Sequence, residues 1–308
     1  MKKYSILFMA IATILFISCS KDDNDDGTWS TVEMTVNVTK VPMKIIAAGQ
    51  GEKMHTDWGD GSIESDPQNA WIHTYTTPGN YKITMKVRNM EAAKVYYYYS
   101  SIHFKDCPDL EWIRSMMIGG SNDTLTMPKT VTLENCPNLT YASFASQNVT
   151  SLEIKNCPQI KYLYLDYHQL SSLNLDLPLL EELNCGGGVL KELDLSHFPA
   201  LKRLYCGDDE LSSINLKNCK KLVRLSCIGS QLTELNLENC TSLEELICYG
   251  NKIIELDISK NIKLHYLKCW DYYIDENNLK TIWVWEGFDI KNYKEFYIPK
   301  GVKYEVKQ

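Results

Sequence analysis

The sequence predicts a mainly β protein whose centre, residues 101–270, is a solenoid of about eight stacked coils. The first observation is a 21-residue period in which apolar residues return at fixed offsets. The aligned copies begin at Val131, Leu152, Leu173, Leu193, Ile214, Leu235 and Leu256. The second is a divergent copy that opens at Ile102 and keeps those offsets. At roughly 4.8 Å per coil the stack is about 40 Å long, which suits a macromolecular partner.

The repeat carries a recognisable pattern, which is clearest in the copy Leu243-x-x-Leu246-x-Cys248-x-x-Asn251-x-Ile253. It resembles the leucine-rich repeat in the cysteine-bearing 21-residue form of internalin-type bacterial surface proteins. The resemblance implies a solenoid that binds another molecule through its concave face. The family's asparagine-ladder position reads Gln147, His168, Gly188, Asp209, Ser230, Asn251 and Tyr272. We therefore expect the ladder's hydrogen bonds to be absent from most coils.

The N-terminus resembles a bacterial lipoprotein signal. Lys2 and Lys3 precede the apolar run Tyr4–Ile17, and the small Ser18 stands directly before Cys19. An apolar run of this length is too short to span a bilayer and is typical of an export signal. The resemblance implies cleavage before Cys19 and acylation of that residue, so that lipid is the protein's only contact with the membrane.

Residues 1–18 are thus the predicted signal peptide, and residues 19–27 form a charged stretch with too few apolar residues to fold alone. We expect the second segment to be a flexible acidic tether. Its Lys21-Asp22-Asp23 sequence resembles the export signal of Bacteroidetes surface lipoproteins, which implies an outer-membrane protein exposed on the cell surface. The alternative is that this stretch is a solvated linker that contains no export signal.

Residues 28–100 predict a separate β-sandwich. The segment Asp57-Trp-Gly-Asp-Gly-Ser62 and the segment His73-Thr-Tyr-Thr-Thr-Pro-Gly-Asn-Tyr81 resemble the motifs of PKD-type domains, which are small immunoglobulin-like sandwiches of extracellular proteins. Gly59 and Gly61 permit tight turns with positive φ.

Asp57 and Asp60 in the first of these motifs have three interpretations. They are a calcium site, a carboxylate pair for catalysis, or turn carboxylates that accept backbone N–H bonds. The third is favoured because carboxylates beside glycines usually take that role. We therefore predict neither a metal nor chemistry there.

Ten of the eleven cysteines follow the repeat. Five share one offset, which is Cys185, Cys206, Cys227, Cys248 and Cys269, and five share another, which is Cys107, Cys136, Cys157, Cys219 and Cys240. Phenylalanine or leucine fills the same offsets in other copies, so the site accepts a modest apolar volume. Buried thiols of this kind pack as small hydrophobes. We predict thiol ladders rather than disulfides or a metal framework, since no CxxC or Cys/His ligand spacing occurs.

No catalytic pattern is present, and the chain is predicted not to be an enzyme. The six histidines are scattered, and neither an HExxH nor a GxSxG motif occurs. No cofactor is predicted. The formal net charge of −7 argues against nucleic acid as a partner, because phosphates require clustered lysine and arginine.

The positions that flank each Leu-x-Cys strand are predicted to face solvent on the concave side, because strand side chains alternate. The candidate ligand-binding residues are Tyr141, Tyr162, Tyr164, Asp166, Glu182, Asn184, Arg203, Tyr205, Arg224, Ser226, Glu245, Ile247, Tyr249, Tyr266, Lys268 and Trp270. Tyrosine, tryptophan and arginine are enriched at binding hot spots. The alternative is that the tyrosines reflect strand propensity and cross-strand packing. The opposite wall carries small polar and charged residues.

The sequence therefore predicts a surface lipoprotein that uses this face for protein recognition or adhesion. Residues 271–308 break the period and are expected to form an irregular C-terminal cap. One alternative is glycan capture with Tyr164, Tyr205, Tyr249 and Trp270 as stacking platforms. Another is a hydrolase hidden near Gly119 or in the cap. The pattern assigns no oligomeric state.

Overall fold

The computed structural model describes residues 27–39, 41–65, 71–96, 100–116, 129–144, 149–207, 210–270 and 278–307. Within these ranges the chain is built from β-strands and turns, with one 3₁₀ turn at Ile290–Asn292 and no α-helix. No helix in this part of the chain has the length and apolarity to cross a bilayer. The predicted signal peptide, Cys19 and the insertion at Gly119 lie outside the described residues.

The N-terminal part consists of seven strands in two layers. They are β1 (Trp29–Val38), β2 (Met43–Gln50), β3 (Met54–Asp57), β4 (Ile63–Ser65), β5 (Trp71–Tyr75), β6 (Gly79–Arg88) and β7 (Ala92–Tyr96). In β1 every second side chain is buried, which is the alternation expected of a strand with one face on the core. The strand β1 pairs antiparallel with β6 along its whole length, from Trp29 opposite Arg88 to Val38 opposite Gly79.

Each later coil contributes short strands to two walls. The first wall holds β8 (Ser101–Lys105), β10 (Thr130–Glu134), β12 (Ser151–Lys155), β15 (Glu192–Asp194), β17 (Ser213–Asn215), β20 (Glu255–Asp257), β22 (Thr281–Val284) and β24 (Lys303–Val306). The second holds β9 (Trp112–Met116), β11 (Tyr141–Ser143), β13 (Tyr162–Tyr164), β14 (Glu182–Asn184), β16 (Arg203–Tyr205), β18 (Arg224–Ser226), β19 (Glu245–Ile247), β21 (Tyr266–Lys268) and β23 (Phe296–Tyr297). In-register parallel pairing, such as Leu204 opposite Leu225, confirms the 21-residue repeat.

Both walls begin as hydrogen-bonded continuations of the two layers of the N-terminal part, and the first wall divides after β12 into the separate sheets β15-β17 and β20-β22-β24. The strand β1 pairs with β8, which places the first coil in a seven-stranded sheet of order β12-β10-β8-β1-β6-β3-β4. The strand β7 pairs with β9, which gives a twelve-stranded sheet of order β23-β21-β19-β18-β16-β14-β13-β11-β9-β7-β2-β5. One hydrophobic cluster spans both parts. The N-terminal strands therefore cover the solenoid's first coil and satisfy its backbone groups.

The C-terminal part continues the stack further than expected. We predicted about eight coils followed by an irregular cap, but β23 pairs parallel with β21, so nine parallel strands run from β9 to β23 in the described residues. The strands β22 and β24 extend the other wall in the same way. In the segment between β22 and β23, Trp285, Phe288 and Tyr293 form an aromatic cluster, with the Trp285 and Phe288 ring centroids 5.0 Å apart. Aromatic packing thus replaces leucine packing where the repeat ends.

The ten cysteines between Cys107 and Cys269 are buried and are not disulfide-bonded, as the thiol-ladder prediction requires. Burial raises the pKa of Cys219 and of Cys240 to about 12. The Cys219 thiol donates to the Leu195 carbonyl at 3.7 Å. A thiol that stays protonated is a poor nucleophile, so these residues are packing groups.

Two side chains at the ladder position, an asparagine and a histidine, form ladder hydrogen bonds in the described residues. Asn251 donates through Nδ2 to the carbonyls of Cys227 and Cys248, at 2.6 and 3.0 Å, and accepts from the Leu232 N–H at 3.1 Å. His168 accepts through Nδ1 from the Leu170 N–H at 3.0 Å, and its Nε2 lies 3.2 Å from the Cys185 carbonyl.

His168 therefore satisfies backbone groups of its own coil and of the next one, as an asparagine does. An imidazole ring offers the same acceptor and donor in the neutral state, so this coil keeps the ladder hydrogen bonds without an asparagine. Burial lowers the pKa of His168, which favours that neutral state.

Candidate binding face

The second wall brings the predicted ligand-binding residues together on one surface, which we call the outer face. Parallel pairing aligns its first row as Trp112, Tyr141, Tyr162, Glu182, Arg203, Arg224, Glu245 and Tyr266. The second row is Arg114, Ser143, Tyr164, Asn184, Tyr205, Ser226, Ile247, Lys268 and Tyr297. The leucines between the rows are fully buried, so the pleat directs the rows away from the core, and all of their members except Ser143 and Ser226 are partly or fully exposed. Ser226 is the most enclosed of the predicted residues, with 8% of its surface exposed.

The N-terminal third of the outer face is aromatic. The ring centroids of Tyr141 and Tyr162 are 6.4 Å apart, and those of Tyr141 and Tyr164 are 5.3 Å apart. The Tyr164 hydroxyl donates to Glu182 Oε1 at 2.8 Å. Burial and this bond raise the pKa of Tyr164, so the phenol stays protonated. Three contacting rings with half-exposed surfaces form a rigid apolar patch, because each has few rotatable bonds.

The middle of the outer face is charged but internally paired. Arg203 donates to Glu182, and Arg224 donates through Nε to Glu245 Oε2 at 2.5 Å. Arg224 also lies 3.4 Å from the Tyr205 hydroxyl, and bonds to Tyr205 and Glu245 raise its pKa. Both arginines were predicted as ligand-binding residues. Their pairing reduces the charge that they present to a ligand, and it sets their orientation.

The C-terminal third mixes cations and rings. Lys268 Nζ lies 4.7 Å from the Tyr249 ring centroid, and the Tyr266 and Tyr297 rings are 5.9 Å apart. A third row continues past the strand ends as Asp166, Gly186, Gly207, Ile228, Tyr249 and Trp270. Burial raises the pKa of Asp166.

The two glycines of that third row are required by the packing of one coil on the next. A Cβ on Gly186 would lie 2.8 Å from the Gly207 carbonyl oxygen, and one on Gly207 would lie 2.7 Å from the Ile228 backbone. Neither distance is possible without moving backbone atoms. The third row therefore lacks side chains at these two positions because the coils stack closely there, and no ligand is needed to explain the glycines.

Sequence reasoning missed Trp112, Arg114, Lys94 and Tyr297. Trp112 and Arg114 occupy the two rows in β9, and Lys94 stands opposite Arg114 in β7, with its Nζ 5.7 Å from the Trp112 ring centroid. The alternation in Leu110-x-Trp112-Ile113-Arg114 could have predicted that Trp112 and Arg114 face the surface. Nothing in the repeat pointed to Lys94, because β7 precedes the first copy.

Most of the polar and charged residues predicted for the opposite wall are exposed, but Ser196 and Asp257 are half-buried and Ser259 is buried. Glu153, Lys155, Asn174, Asp176, Asp194, Asn215, Asn236 and Glu238 are exposed. Their contacts are short and polar, such as the bond of 2.9 Å from Asn215 Nδ2 to Asp194 Oδ1 in the preceding coil. This wall presents no aromatic row at these positions, so the two sides of the coil differ in the chemistry that they offer a partner.

Asp57 and Asp60 take the turn role favoured by the sequence. Asp57 Oδ1 accepts from the Gly59 N–H at 2.9 Å, and Asp60 Oδ1 accepts from the Ser62 N–H at 3.0 Å. Partial burial opposes ionisation, but bonds from Ser62 and His73 lower the pKa of Asp60 to about 2. Among the described residues no group of three or more His, Cys, Asp or Glu side chains is arranged to hold a metal.

Comparison with known proteins gives structural similarity only. The functional domain of InlJ from Listeria monocytogenes, which includes a cysteine ladder, is similar at 20% identity with a TM-score of 0.46, over 72% of this chain and 55% of that one. A leucine-rich-repeat protein from Leptospira interrogans is similar at 14% identity with a TM-score of 0.28, over 65% of this chain and 73% of that one. The chain thus spans little more than half of the Listeria domain. No protein-family model and no curated protein matches the sequence.

Proposed function

We propose that the protein recognises another protein through its outer face, noncovalently and without a cofactor. The observation that carries the proposal is the difference between the two walls. Tyrosine, tryptophan or arginine side chains occupy seven of the nine described strands from β9 to β23 on one side, whereas the surface positions of β8 to β20 on the other side carry only polar and charged residues. Aromatic residues with few rotatable bonds supply contact area at low entropic cost, and solvation alone does not require them.

The experiment compares the two walls directly. A photo-crosslinking amino acid is placed at Tyr162 on the outer face or, as the matched control, at Asp176 on the opposite wall. We expect a discrete cross-linked protein from the first position and none from the second. The dissociation constant of that purified partner is then measured against Tyr162→Ala with Tyr205→Ala, and against Glu153→Ala with Asp176→Ala.

Loss of the two tyrosines should weaken binding by about 2 kcal/mol or more, since buried rings are the usual hot spots. The control pair should change binding by less than about 0.5 kcal/mol. Equal cross-linking from both walls, or equal losses in both pairs, would contradict the proposal.

Glycan capture is the second candidate, because sugar rings stack on exposed aromatic faces. Two contacts weigh against it at the proposed platforms. Lys268 lies over one Tyr249 face, and the Tyr205 hydroxyl is engaged by Arg224. Glycan-array binding that is lost in Trp270→Ala, with no cross-linked protein at Tyr162, would favour the glycan over the protein.

We also propose that the chain is a lipoprotein anchored through Cys19 at the outer membrane and exposed on the cell surface. Support comes from the apolar run, the small residue before the cysteine and the acidic tether. Metabolic labelling with a fatty-acid analogue should mark the wild type and not Cys19→Ser. External protease should remove the labelled protein from intact cells, and full protection would contradict surface exposure.

Residues 28–100 are proposed to be a PKD-like sandwich that closes the solenoid. The buried Tyr75 donates to the Trp58 carbonyl at 2.7 Å and stacks on Tyr81 at 4.2 Å, so the motif residues fill its core. A chain that starts at residue 100 leaves β8 and β9 as open edges. We expect it to aggregate, and a soluble monomeric product would contradict the closing role.

A further inference from the structure

The charge of the outer face is opposite in sign to that of the chain. Across its three rows the described strands β7 to β21 present five cations, which are Lys94, Arg114, Arg203, Arg224 and Lys268, and three carboxylates, which are Asp166, Glu182 and Glu245. The whole chain has a formal net charge of −7. The positive excess on this face is therefore local and does not follow from composition.

The excess is concentrated at one end. Arg203 and Arg224 are neutralised within the face by Glu182 and Glu245. At the N-terminal end, Arg114 is exposed and forms no ion pair within the described residues. Its strand neighbour Lys94 contacts the Trp112 ring, at 5.7 Å from the centroid, and forms no ion pair in the same part of the chain.

These two cations adjoin the aromatic patch. Trp112 stands directly opposite Tyr141 in the register, and Tyr141 contacts Tyr162 and Tyr164. A ligand that spans two strands thus meets positive charge first and then a rigid apolar surface. Charges at the edge of an interface steer association, and buried rings supply most of the affinity.

We infer that this end of the outer face binds an acidic protein segment, with its carboxylates at Lys94 and Arg114 and a ring or aliphatic side chain on the tyrosine patch. The inference rests on the proposed protein-recognition function and names the class of partner segment. Charge complementarity selects carboxylates, and the adjacent rings select a peptide over a uniformly hydrophilic polyanion.

The test uses defined probes and the full chain. A fluorescein-labelled copolymer of glutamate and tyrosine is titrated by anisotropy, with a lysine and tyrosine copolymer and heparin as comparison probes. The variant is Lys94→Glu with Arg114→Glu. The matched control is Lys217→Glu with Lys300→Glu, which makes the same charge change at exposed positions away from this end of the face.

The glutamate and tyrosine copolymer should bind the wild type and lose about tenfold in affinity in the first variant, with little change in the control. The loss should shrink as salt rises from about 0.05 to 0.3 M, because exposed charges are screened. Equal losses in both variants, binding of the lysine copolymer, or heparin binding with the same loss would overturn the inference.

The two variants distinguish failure of the acidic-segment inference from failure of the proposed protein recognition. If the partner cross-linked at Tyr162 is lost in Tyr162→Ala with Tyr205→Ala but binds the charge-reversed protein normally, the face binds protein and the acidic class is wrong. If the partner itself loses affinity in the charge-reversed protein, the acidic segment is supported in the natural complex.

Discussion

The Asn251→Ala substitution probes the hydrogen bonds that join consecutive coils. Asn251 is 8% exposed and makes three hydrogen bonds, two to carbonyls in its own and the preceding coil and one from the Leu232 N–H. Alanine removes all three and leaves buried backbone groups without partners. At about 1 kcal/mol for each bond, the free energy of unfolding should fall by about 3 kcal/mol.

The control for this prediction lies at the same offset in the preceding coil. Ser230 is buried there and makes one long bond of 3.4 Å to the Ile228 carbonyl. Ser230→Ala should therefore cost less than about 1 kcal/mol.

The assay is urea unfolding followed by circular dichroism, with the midpoint and slope compared among the three proteins. Amide hydrogen exchange should locate the added opening in the coils around Leu232 and Cys248. Equal losses for Asn251→Ala and Ser230→Ala would contradict the ladder role of Asn251, because burial alone would then explain both.

Three further perturbations test other parts of the structure. Because burial lowers the folded-state pKa of His168 below 6.5, its stabilising contribution should be present above pH 6.5 and be lost as pH falls, by up to about 1.4 kcal/mol per pH unit; His168→Gln should flatten this fall in urea midpoints, and an unchanged pH profile would count against the neutral ladder role. Leu246→Asp should lower stability by more than about 4 kcal/mol in thermal unfolding, because it buries an unpaired carboxylate between fully enclosed coils, whereas Glu153→Asp on the exposed wall should change little. A thiol reagent should modify Cys227 only after denaturation, because burial raises its pKa; rapid labelling of the native protein would contradict its packing role.

Local pattern was sufficient to predict the repeat and the direction of its side chains. Leu204 and Leu225 point inward and Tyr162 and Tyr205 point outward because alternation along a strand depends only on position in the chain. The thiol ladders were predictable for the same reason, since a repeated offset in a stack places each member above the last. The structure places most of the candidate residues at the surface and buries Ser226, and their binding role stays a prediction.

The repeat pattern could not predict the side-chain contacts between neighbouring coils. The bond from Tyr164 to Glu182 and the pairing of Arg224 with Glu245 depend on which rotamers neighbouring coils allow. His168 takes the ladder role because its ring nitrogens meet the Leu170 N–H and the Cys185 carbonyl in a buried site.

The amino-acid sequence alone determined the period, the inward leucines and thiols, and the aromatic rows, because each follows from spacing within one short segment. Tertiary structure decided how the ends of the stack close and which charges remain exposed. The pairing of β1 with β8, and the approach of Lys94 to Trp112, join segments whose spacing carries no repeat signal. Such contacts depend on how the two sheets continue into the strands that precede the first copy, and that is a property of the packed chain.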